Sequence, residues 1–204
     1  MSVVTTVDLL RHGACTGGDI FRGRTDVPLT EEGWSQMHEA LACVAGWTKV
    51  ISSPLGRCEQ FAAALGVAQS VPVQVDQGLR EMDFGIWDGR PVEEVARRYP
   101  DMLTRFYSSP EHVRLPEGES FQEFSERVLT SWGQVLMHHE GSHLLLVTHG
   151  GVIRLLLAHL LQMPMSSMSR LHVPYACRAR LKIYGRGEDA VPTLSTFNAR
   201  EEWA

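Results

Sequence analysis

Three apolar runs of the sequence each lead directly into polar residues next to glycine or proline. The first run is followed by Arg11-His12-Gly13, the second by Ser53-Pro54-Leu55-Gly56-Arg57 and the third by His149-Gly150-Gly151. If the runs are neighbouring parallel strands, these segments meet at one edge of a sheet, where α/β proteins bind their ligands. We therefore expect two histidines and two arginines to lie together at that edge.

This combination of side chains is suited to an anion. Guanidinium groups bind phosphate oxygens in a bidentate manner, and the glycine turn that includes Gly150 offers backbone N–H groups at the start of a helix. The chain as a whole has 19 basic and 24 acidic residues, a formal net charge of −5. Such a charge disfavours nucleic acid or an anionic membrane as the main partner. The expected ligand is a small phosphorylated metabolite.

The sequence favours phosphoryl transfer without a metal or a cofactor. It has no Walker A motif and no acidic pair with Mg²⁺ spacing, and His138-His139-Glu140-Gly141-Ser142-His143 fits neither a zincin helix nor a zinc finger. One histidine would then be the nucleophile and form a phosphohistidine, while the arginines and the second histidine bind the phosphoryl oxygens.

Phosphohistidine chemistry also needs a proton donor for the leaving alcohol and a base for the attacking water, and one carboxyl group can serve both steps. Glu81 is the best candidate among 24 acidic residues, because it lies in an irregular segment flanked by aromatic residues rather than on a solvated helix.

Alternating strands and helices predict an α/β fold with a mostly parallel sheet. The predicted strands are Thr6–Leu10, Val50–Ser52, Val71–Val75, Leu144–Thr148, Ala179–Tyr184 and Val191–Thr196, of which the last two are expected at an edge. The predicted helices begin after Thr30, at Leu55 (to about Leu65), at Val92 (to Tyr107), after a capping box of Ser120 and Glu123, and at Gly151 (to Leu161). We expect one domain over residues 1–204, with about 88–120 inserted as part of the substrate wall.

Six segments, in this order along the chain, resemble the motifs of the histidine phosphatase, or phosphoglycerate mutase-like, superfamily. They are Leu10–Gly13, Gly23–Thr30, Ser52–Arg57, Leu79–Glu81 with Phe84–Gly89, Pro116–Ser120 and Val147–Gly151. The resemblance implies a three-layer α/β/α sandwich. It also implies that His12 is the phosphorylated nucleophile, that Arg11, Arg57 and His149 form the phosphate pocket, and that Glu81 is the general acid and base.

Within this superfamily the chain is most similar to the α-ribazole phosphatases of cobalamin assembly. The similarity lies in Gly17-Gly18, in Glu117–Phe124 and in Thr148–Leu156. It implies removal of the 5′-phosphate from α-ribazole 5′-phosphate or its cobamide. A broad-specificity phosphatase of small metabolites, a phosphoglycerate mutase and a non-catalytic phospho-ligand binding module are the alternatives.

One departure from the family pattern affects the phosphate site. Many members follow Arg-His-Gly with Glu-Thr and then an Asn, whereas this chain has Ala14-Cys15-Thr16-Gly17-Gly18. The side-chain amide contact to phosphate is therefore absent. Arg22 or the backbone of Gly23 is the candidate substitute. The sequence leaves open whether the side chains of Arg22 and Arg24 contact the phosphate or lie in solvent.

The sequence also bears on compartment. Its N-terminus lacks the features of a signal peptide, no apolar run is long enough to span a membrane, and its four cysteines show no pairing pattern. We expect a cytoplasmic protein with reduced, mostly packed thiols. Nothing in the sequence indicates the oligomeric state.

Overall fold

The computed structural model describes residues 3–198, so the ends of the predicted 1–204 domain lie outside the described residues. Its strands are β1 (Val4–Arg11), β2 (Lys49–Ser52), β3 (Val73–Val75), β4 (His143–Thr148), β5 (Arg178–Tyr184) and β6 (Val191–Phe197). Its α-helices are α1 (Glu31–Leu41), α2 (Gly56–Gln69), α3 (Val92–Arg98), α4 (Pro100–Ser108), α5 (Phe121–His138) and α6 (Gly150–Leu160). Short 3-10 turns at Gln77–Leu79, Gly85–Trp87 and Met165–Arg170 lie in the connections.

The six strands form one sheet in the order β3-β2-β4-β1-β5-β6. The first four of these are mutually parallel, and β5 and β6 join antiparallel beyond β1. The predicted mostly parallel sheet is confirmed, with β4 in its interior between β2 and β1. The prediction that both last strands are edges was wrong for β5, which pairs with β1 as well as with β6. Alternating burial marks a strand with one covered face, and this pattern does not tell an edge strand from an inner one.

Helices cover both faces of the sheet, as the three-layer prediction requires. One apolar core contains Leu10, Val50 and Leu145 of the sheet together with residues of α1 and α2. The opposite core contains Leu9 and Leu146 with residues of α5 and α6. Because successive side chains of a strand point to opposite faces, the buried strands β1 and β4 supply both cores.

The helix starts follow from local chemistry. Thr30 accepts the N–H of Gly33 through its hydroxyl at 3.0 Å, which caps α1. Ser120 and Glu123 form the predicted reciprocal capping box at the start of α5. The spacing of Trp34, Met37, Leu41 and Val44 predicts an apolar helix face that extends to Val44. The helix instead ends at Leu41, and Val44 packs into the core from the following turn.

The segment 88–120 contains α3 and α4 rather than one helix from Val92 to Tyr107. The break falls at Pro100, because a proline disfavours helical backbone at the residue before it, and Tyr99 has φ −135° and ψ 50°. Trp87, Val95 and Leu115 belong to a third, smaller apolar cluster at this segment. The segment is therefore held by its own packing beside the two main cores.

Within residues 3–198, no helix has the length and apolarity needed to cross a membrane. Cys15, Cys58 and Cys177 are buried, and no disulfide joins any cysteines of the described chain. Burial raises the pKa of the Cys58 thiol well above its ordinary value and that of Cys177 to about 11. These are the packed thiols that the sequence predicted.

Candidate active site

The imidazole of His12 lies at the carboxyl end of β1 and is 3% exposed. Its Nδ1 lies 2.8 Å from the carbonyl oxygen of Gly13. A carbonyl oxygen only accepts hydrogen bonds, so Nδ1 carries the hydrogen and the neutral ring has its lone pair on Nε2. Gly13 itself packs directly against the backbone of Gly33, and a Cβ there would collide with that backbone. The Arg-His-Gly motif thus places an unprotonated imidazole nitrogen at the sheet edge.

Arg11 and Arg57 are held at this edge by backbone carbonyls. Arg11 donates from Nη1 to Val173 at 2.7 Å. Arg57 is fully buried and donates to the carbonyls of Thr25, Arg22 and Gly23 at 2.8–3.0 Å. Carbonyl oxygens fix both guanidinium groups. The carboxylate of Asp26, which is 42% exposed, also lies 3.5 Å from the Arg57 Nη1 and neutralises part of its charge.

Arg22 is the third arginine of the site and is 7% exposed. Its Nη2 donates to the carbonyls of Thr16 and Gly18 at 3.0 and 2.6 Å, and its Nη1 donates to the hydroxyl of Tyr175 at 3.1 Å. The structure thus brings Arg22 into the cluster, whereas the sequence left open whether it would lie in solvent.

Each of these three arginines has a buried Nε without a hydrogen-bond partner among the described residues. A buried donor without a partner costs roughly 1–3 kcal/mol, so it normally has an acceptor in the functional state. Arg11, Arg22 and Arg57 also all lie close enough to His12 to lower its pKa. Three unpaired donors around one imidazole form a site for an anion with several oxygens.

His149 lies next to His12 and is completely buried. The two rings meet edge to face with their centroids 5.3 Å apart. The Nε2 atom of His149 lies 2.7 Å from the hydroxyl of Ser53, which also accepts the N–H of Leu55 at 3.3 Å. Ser53 therefore fixes the orientation of the second histidine.

Both histidines are held in the neutral form. Burial is the main reason that the pKa of His12 lies well below 6.5, and Arg11 and Arg57 lower it further. Burial likewise places the pKa of His149 well below 6.5, with Arg57 as the next cause. A neutral His12 keeps its nucleophilic lone pair near neutral pH.

Glu81 reaches the same edge from the irregular segment after β3. Its Oε1 accepts the N–H of Met82 and its Oε2 accepts the N–H of Gly151, both at 3.0 Å. Gly151 lies in the first turn of α6, directly after His149. The carboxylate is thus bound to the start of the helix that begins directly after the second histidine.

The remaining predicted residues divide between the pocket and its rim. Gly150 lies beside Arg11, since a Cβ on it would come within 3.4 Å of the Arg11 Nε. Gly23 contributes the carbonyl that accepts from Arg57. The side chain of Arg24 is 62% exposed and contacts Asp83 at 3.4 Å, so it lies outside the cluster around His12. It lines a neighbouring groove of about 460 Å³ that also includes Glu81 and Arg80.

Two residues of the site were missed from the sequence. Ser53 stands in one of the strand-exit segments, so its position was a usable signal, but its type suggested only a turn. Tyr175 comes from the connection before β5 and contacts Arg11, Arg22 and His12. No periodicity or motif marked it, because its contacts depend on how the antiparallel end of the sheet folds back.

Cys15 lies 3.5 Å from the Nδ1 of His12, and Cys58 lies 3.7 Å from the Nε2 of His149. Burial raises the pKa of both thiols above the ordinary cysteine value. They are therefore protonated packing residues behind the two imidazoles. Among the described residues, no group of three or more histidines, cysteines or acids has an arrangement that could hold a metal ion.

Comparison with known proteins agrees with this geometry. The α-ribazole phosphatase from Shigella flexneri has the same fold, with a TM-score of 0.79 and 27% identity over 95% of this chain and 96% of its own. A probable phosphoglycerate mutase of Yersinia pestis is 34% identical over 171 residues, which cover 82% of this chain and 80% of that protein.

A bifunctional protein of Mycobacterium tuberculosis is 33% identical over 192 residues, which are 92% of this chain but 52% of that protein. The chain thus spans about half the length of the first curated relatives that it matches. A family model described as the histidine phosphatase superfamily, branch 1, matches residues 7–195. That match covers β2 to β5 in full, most of β1 and β6, and both histidines of the site, and the chain belongs to the histidine phosphatase superfamily.

Proposed function

We propose that this protein hydrolyses phosphomonoesters through a phosphohistidine on His12, without a metal ion. The observation that carries the proposal is the unprotonated Nε2 of His12 among three buried guanidinium groups with unpaired Nε donors. A phosphoryl group is tetrahedral and has oxygens for several donors at once, so it matches this arrangement better than a carboxylate with two oxygens.

In the first step, the Nε2 lone pair of His12 attacks phosphorus and the P–O bond to the alcohol breaks. The protonated carboxyl group of Glu81 gives its proton to the leaving alkoxide. Arg11, Arg22, Arg57 and His149 stabilise the charge that develops on the phosphoryl oxygens.

In the second step, the Glu81 carboxylate takes a proton from water while the water oxygen attacks the phosphohistidine. The P–N bond breaks, inorganic phosphate leaves and Glu81 is protonated again. The hydrogen bonds from Met82 and Gly151 hold this carboxylate in place between the two steps. One carboxyl group therefore serves both half-reactions.

For the substrate, we propose α-ribazole 5′-phosphate or its cobamide, and hence a role in cobalamin assembly inside the cytoplasm. The support is the likeness to an α-ribazole phosphatase over nearly the whole of both chains. The groove beside Glu81 has room for an alcohol of nucleoside size. Segment 88–120 would form part of the wall around it.

A phosphoglycerate mutase is the second candidate, favoured by the identity with the Yersinia pestis relative. It would use the same first step but transfer the phosphoryl group to a second alcohol instead of water. A non-catalytic phosphate-binding module is the third. Such a module would need the arginines, but it would have no use for a carboxylate fixed at the start of the helix that follows His149.

The test is a panel of p-nitrophenyl phosphate, α-ribazole 5′-phosphate and 3-phosphoglycerate, assayed in the presence of a chelator. We expect phosphate release from the wild type, loss of release in His12→Ala, and the highest kcat/KM with α-ribazole 5′-phosphate. Release that His12→Ala leaves unchanged would exclude the phosphohistidine. A preference for 3-phosphoglycerate would exclude the role in cobalamin assembly but would be compatible with the phosphohistidine mechanism.

A further inference from the structure

Tyr175 lies outside the predicted site, but its side chain contacts three of the site's members. The guanidinium carbon of Arg11 lies 4.4 Å from the centre of the tyrosine ring. The Nη1 of Arg22 donates to the hydroxyl at 3.1 Å. The ring of His12 lies 5.8 Å from that of Tyr175, at an angle of 48°.

The backbone around Tyr175 is hydrogen-bonded to Arg11 and His12 at the carboxyl end of β1. The carbonyl of Val173 accepts from the Arg11 side chain, and the carbonyl of Cys177 accepts the Arg11 N–H at 3.0 Å. The N–H of Ala176 donates to the carbonyl of His12 at 3.2 Å, and Ala176 has a positive φ of 53°. A left-handed alanine is unfavourable by itself and persists where the surroundings impose it. This turn therefore holds Tyr175 in one place relative to the motif.

We propose that Tyr175 is a positioning residue that aims Arg22 and Arg11 at the phosphoryl group, an inference that rests on the proposed function. Arg22 uses three of its five N–H donors on Tyr175, Thr16 and Gly18. One N–H of Nη1 remains, and Nε is the guanidinium nitrogen of Arg22 that has no partner among the described residues. The tyrosine hydroxyl is the only side-chain acceptor among these contacts. The hydroxyl thereby allows Arg22 to replace the contact to phosphate that an Asn side chain makes in many family members.

The aromatic ring has a separate part in the proposal. A guanidinium group over an aromatic face is attracted to it, and this contact fixes the plane of the fork. With Nη1 bound to Val173 and the plane set by the ring, the Nε of Arg11 stays unpaired and lies beside Gly150. In this proposal the Tyr175 hydroxyl orients Arg22 and the Tyr175 ring orients Arg11.

The two contributions are separated by Tyr175→Phe, which removes only the hydroxyl, and Tyr175→Leu, which removes the ring as well. Tyr184→Phe is the matched control, because Tyr184 lies on β5 with 39% exposure and outside the site. Binding of inorganic phosphate and orthovanadate is measured by calorimetry, and KM and kcat are measured with p-nitrophenyl phosphate.

In Tyr175→Phe we expect about tenfold weaker binding of both anions and a similar rise in KM, as for the loss of a hydrogen bond to a charged group. Its kcat should change less than its KM. Tyr175→Leu should bind both anions more weakly still and lose kcat as well. In an Arg22→Gln background, Tyr175→Phe should have almost no further effect, since the hydroxyl acts through Arg22.

The inference would be overturned if Tyr175→Phe bound the anions as tightly as the wild type does. It would also be overturned if Tyr175→Phe weakened anion binding equally in the wild-type and Arg22→Gln backgrounds. Both results leave the proposed function intact, because the wild type still binds and turns over. A wild type that binds neither anion would instead overturn the proposed function, and the inference with it.

Discussion

The Oε2 atom of Glu81 accepts the backbone N–H of Gly151 at 3.0 Å, in the first turn of the helix that follows His149. The proposed proton donor and the second histidine are therefore fixed to the same short piece of backbone. The Glu81 carboxylate occupies the space that a side chain at residue 151 would need, since a Cβ on Gly151 would collide with it. Residue 151 is glycine because the carboxylate needs that space.

Gly151→Ala should therefore lower activity without unfolding the protein. The methyl group displaces the flexible end of Glu81, and alanine favours a helix by roughly 0.5–1 kcal/mol over glycine. We expect kcat to fall at least about tenfold while the thermal midpoint stays the same or rises. Gly133→Ala in α5 is the control, because nothing lies within 4 Å of a Cβ there. It should be stabilised with full activity, and equal activities of the two variants would contradict the role given to Glu81.

Glu81→Gln should lose most activity on substrates whose leaving alcohol needs a proton. General acid catalysis contributes about 10²–10⁴-fold, and this benefit shrinks when the leaving group is already a stable anion. We expect kcat/KM to fall by at least about a hundredfold for an alkyl phosphate and by clearly less for p-nitrophenyl phosphate. The two losses are compared in steady-state assays. Equal losses would mean that Glu81 does not protonate the leaving group.

Much of this site could be predicted because it lies where elements end. Arg11, His12, Arg57 and His149 follow apolar runs in the sequence, and parallel strands bring their carboxyl ends to one edge. Glu81 was identified by exclusion, since it stands in an irregular segment rather than on a helix face. The structure brings all five together, with Arg22 as the sixth member and Arg24 outside.

What could not be predicted depends on long-range packing. Tyr175 lies more than 150 positions from Arg22, and only the return of the chain through β5 brings them into contact. The inner position of β5 has the same origin, because its alternating pattern fits an edge strand equally well. The break at Pro100 was available from the sequence, where a proline inside a helical pattern ends the helix before it.

Asp8→Asn should affect stability rather than chemistry. Asp8 is fully buried in β1 and accepts hydrogen bonds from Nε and Nη2 of Arg180 and from Nη1 of Arg178. It also accepts from Trp47 at 2.9 Å and from His143 at 2.8 Å. Its side chain points to the face opposite Arg11, three residues further along the strand. Removing one partner of a buried pair costs about 3–5 kcal/mol, and solvent at Arg180, which is 26% exposed, should reduce this to about 2–4 kcal/mol.

Urea unfolding of Asp8→Asn and of the control Asp101→Asn measures this difference. Asp101 is exposed in the first turn of α4, where a carboxylate is worth only a few tenths of a kcal/mol. The free energy of unfolding should fall in Asp8→Asn alone, while kcat of the folded fraction stays at the wild-type value. A loss of kcat with unchanged stability would contradict the structural role of this network.

Mild acid should destabilise the protein through its two buried histidines. Burial holds the pKa of His12 and of His149 well below 6.5 in the folded state, whereas the unfolded chain has the ordinary value of about 6.5. Below pH 6.5 the unfolded chain therefore binds protons that the folded protein does not, so stability is complete above that pH and falls as the pH drops. The free energy of unfolding should decrease by up to about 1.4 kcal/mol per pH unit for each histidine.

Urea unfolding at pH 7.5, 6.5 and 5.5 tests this sign and slope. The lowered pKa of Asp8 does not interfere, since that carboxylate loses its contribution only as the pH falls below its ordinary value of 3.8. The variant His12→Asn should show a clearly smaller slope than the wild type between pH 6.5 and 5.5, because one of the two buried imidazoles is gone. His149 remains, and so does the partly exposed His139, whose pKa burial also lowers. The exposed His172 serves as the control, and His172→Gln should keep the full slope. A stability that stays level or rises towards pH 5.5 would mean that the two imidazoles are charged in the folded protein, and a charged His12 would have no lone pair with which to attack phosphorus.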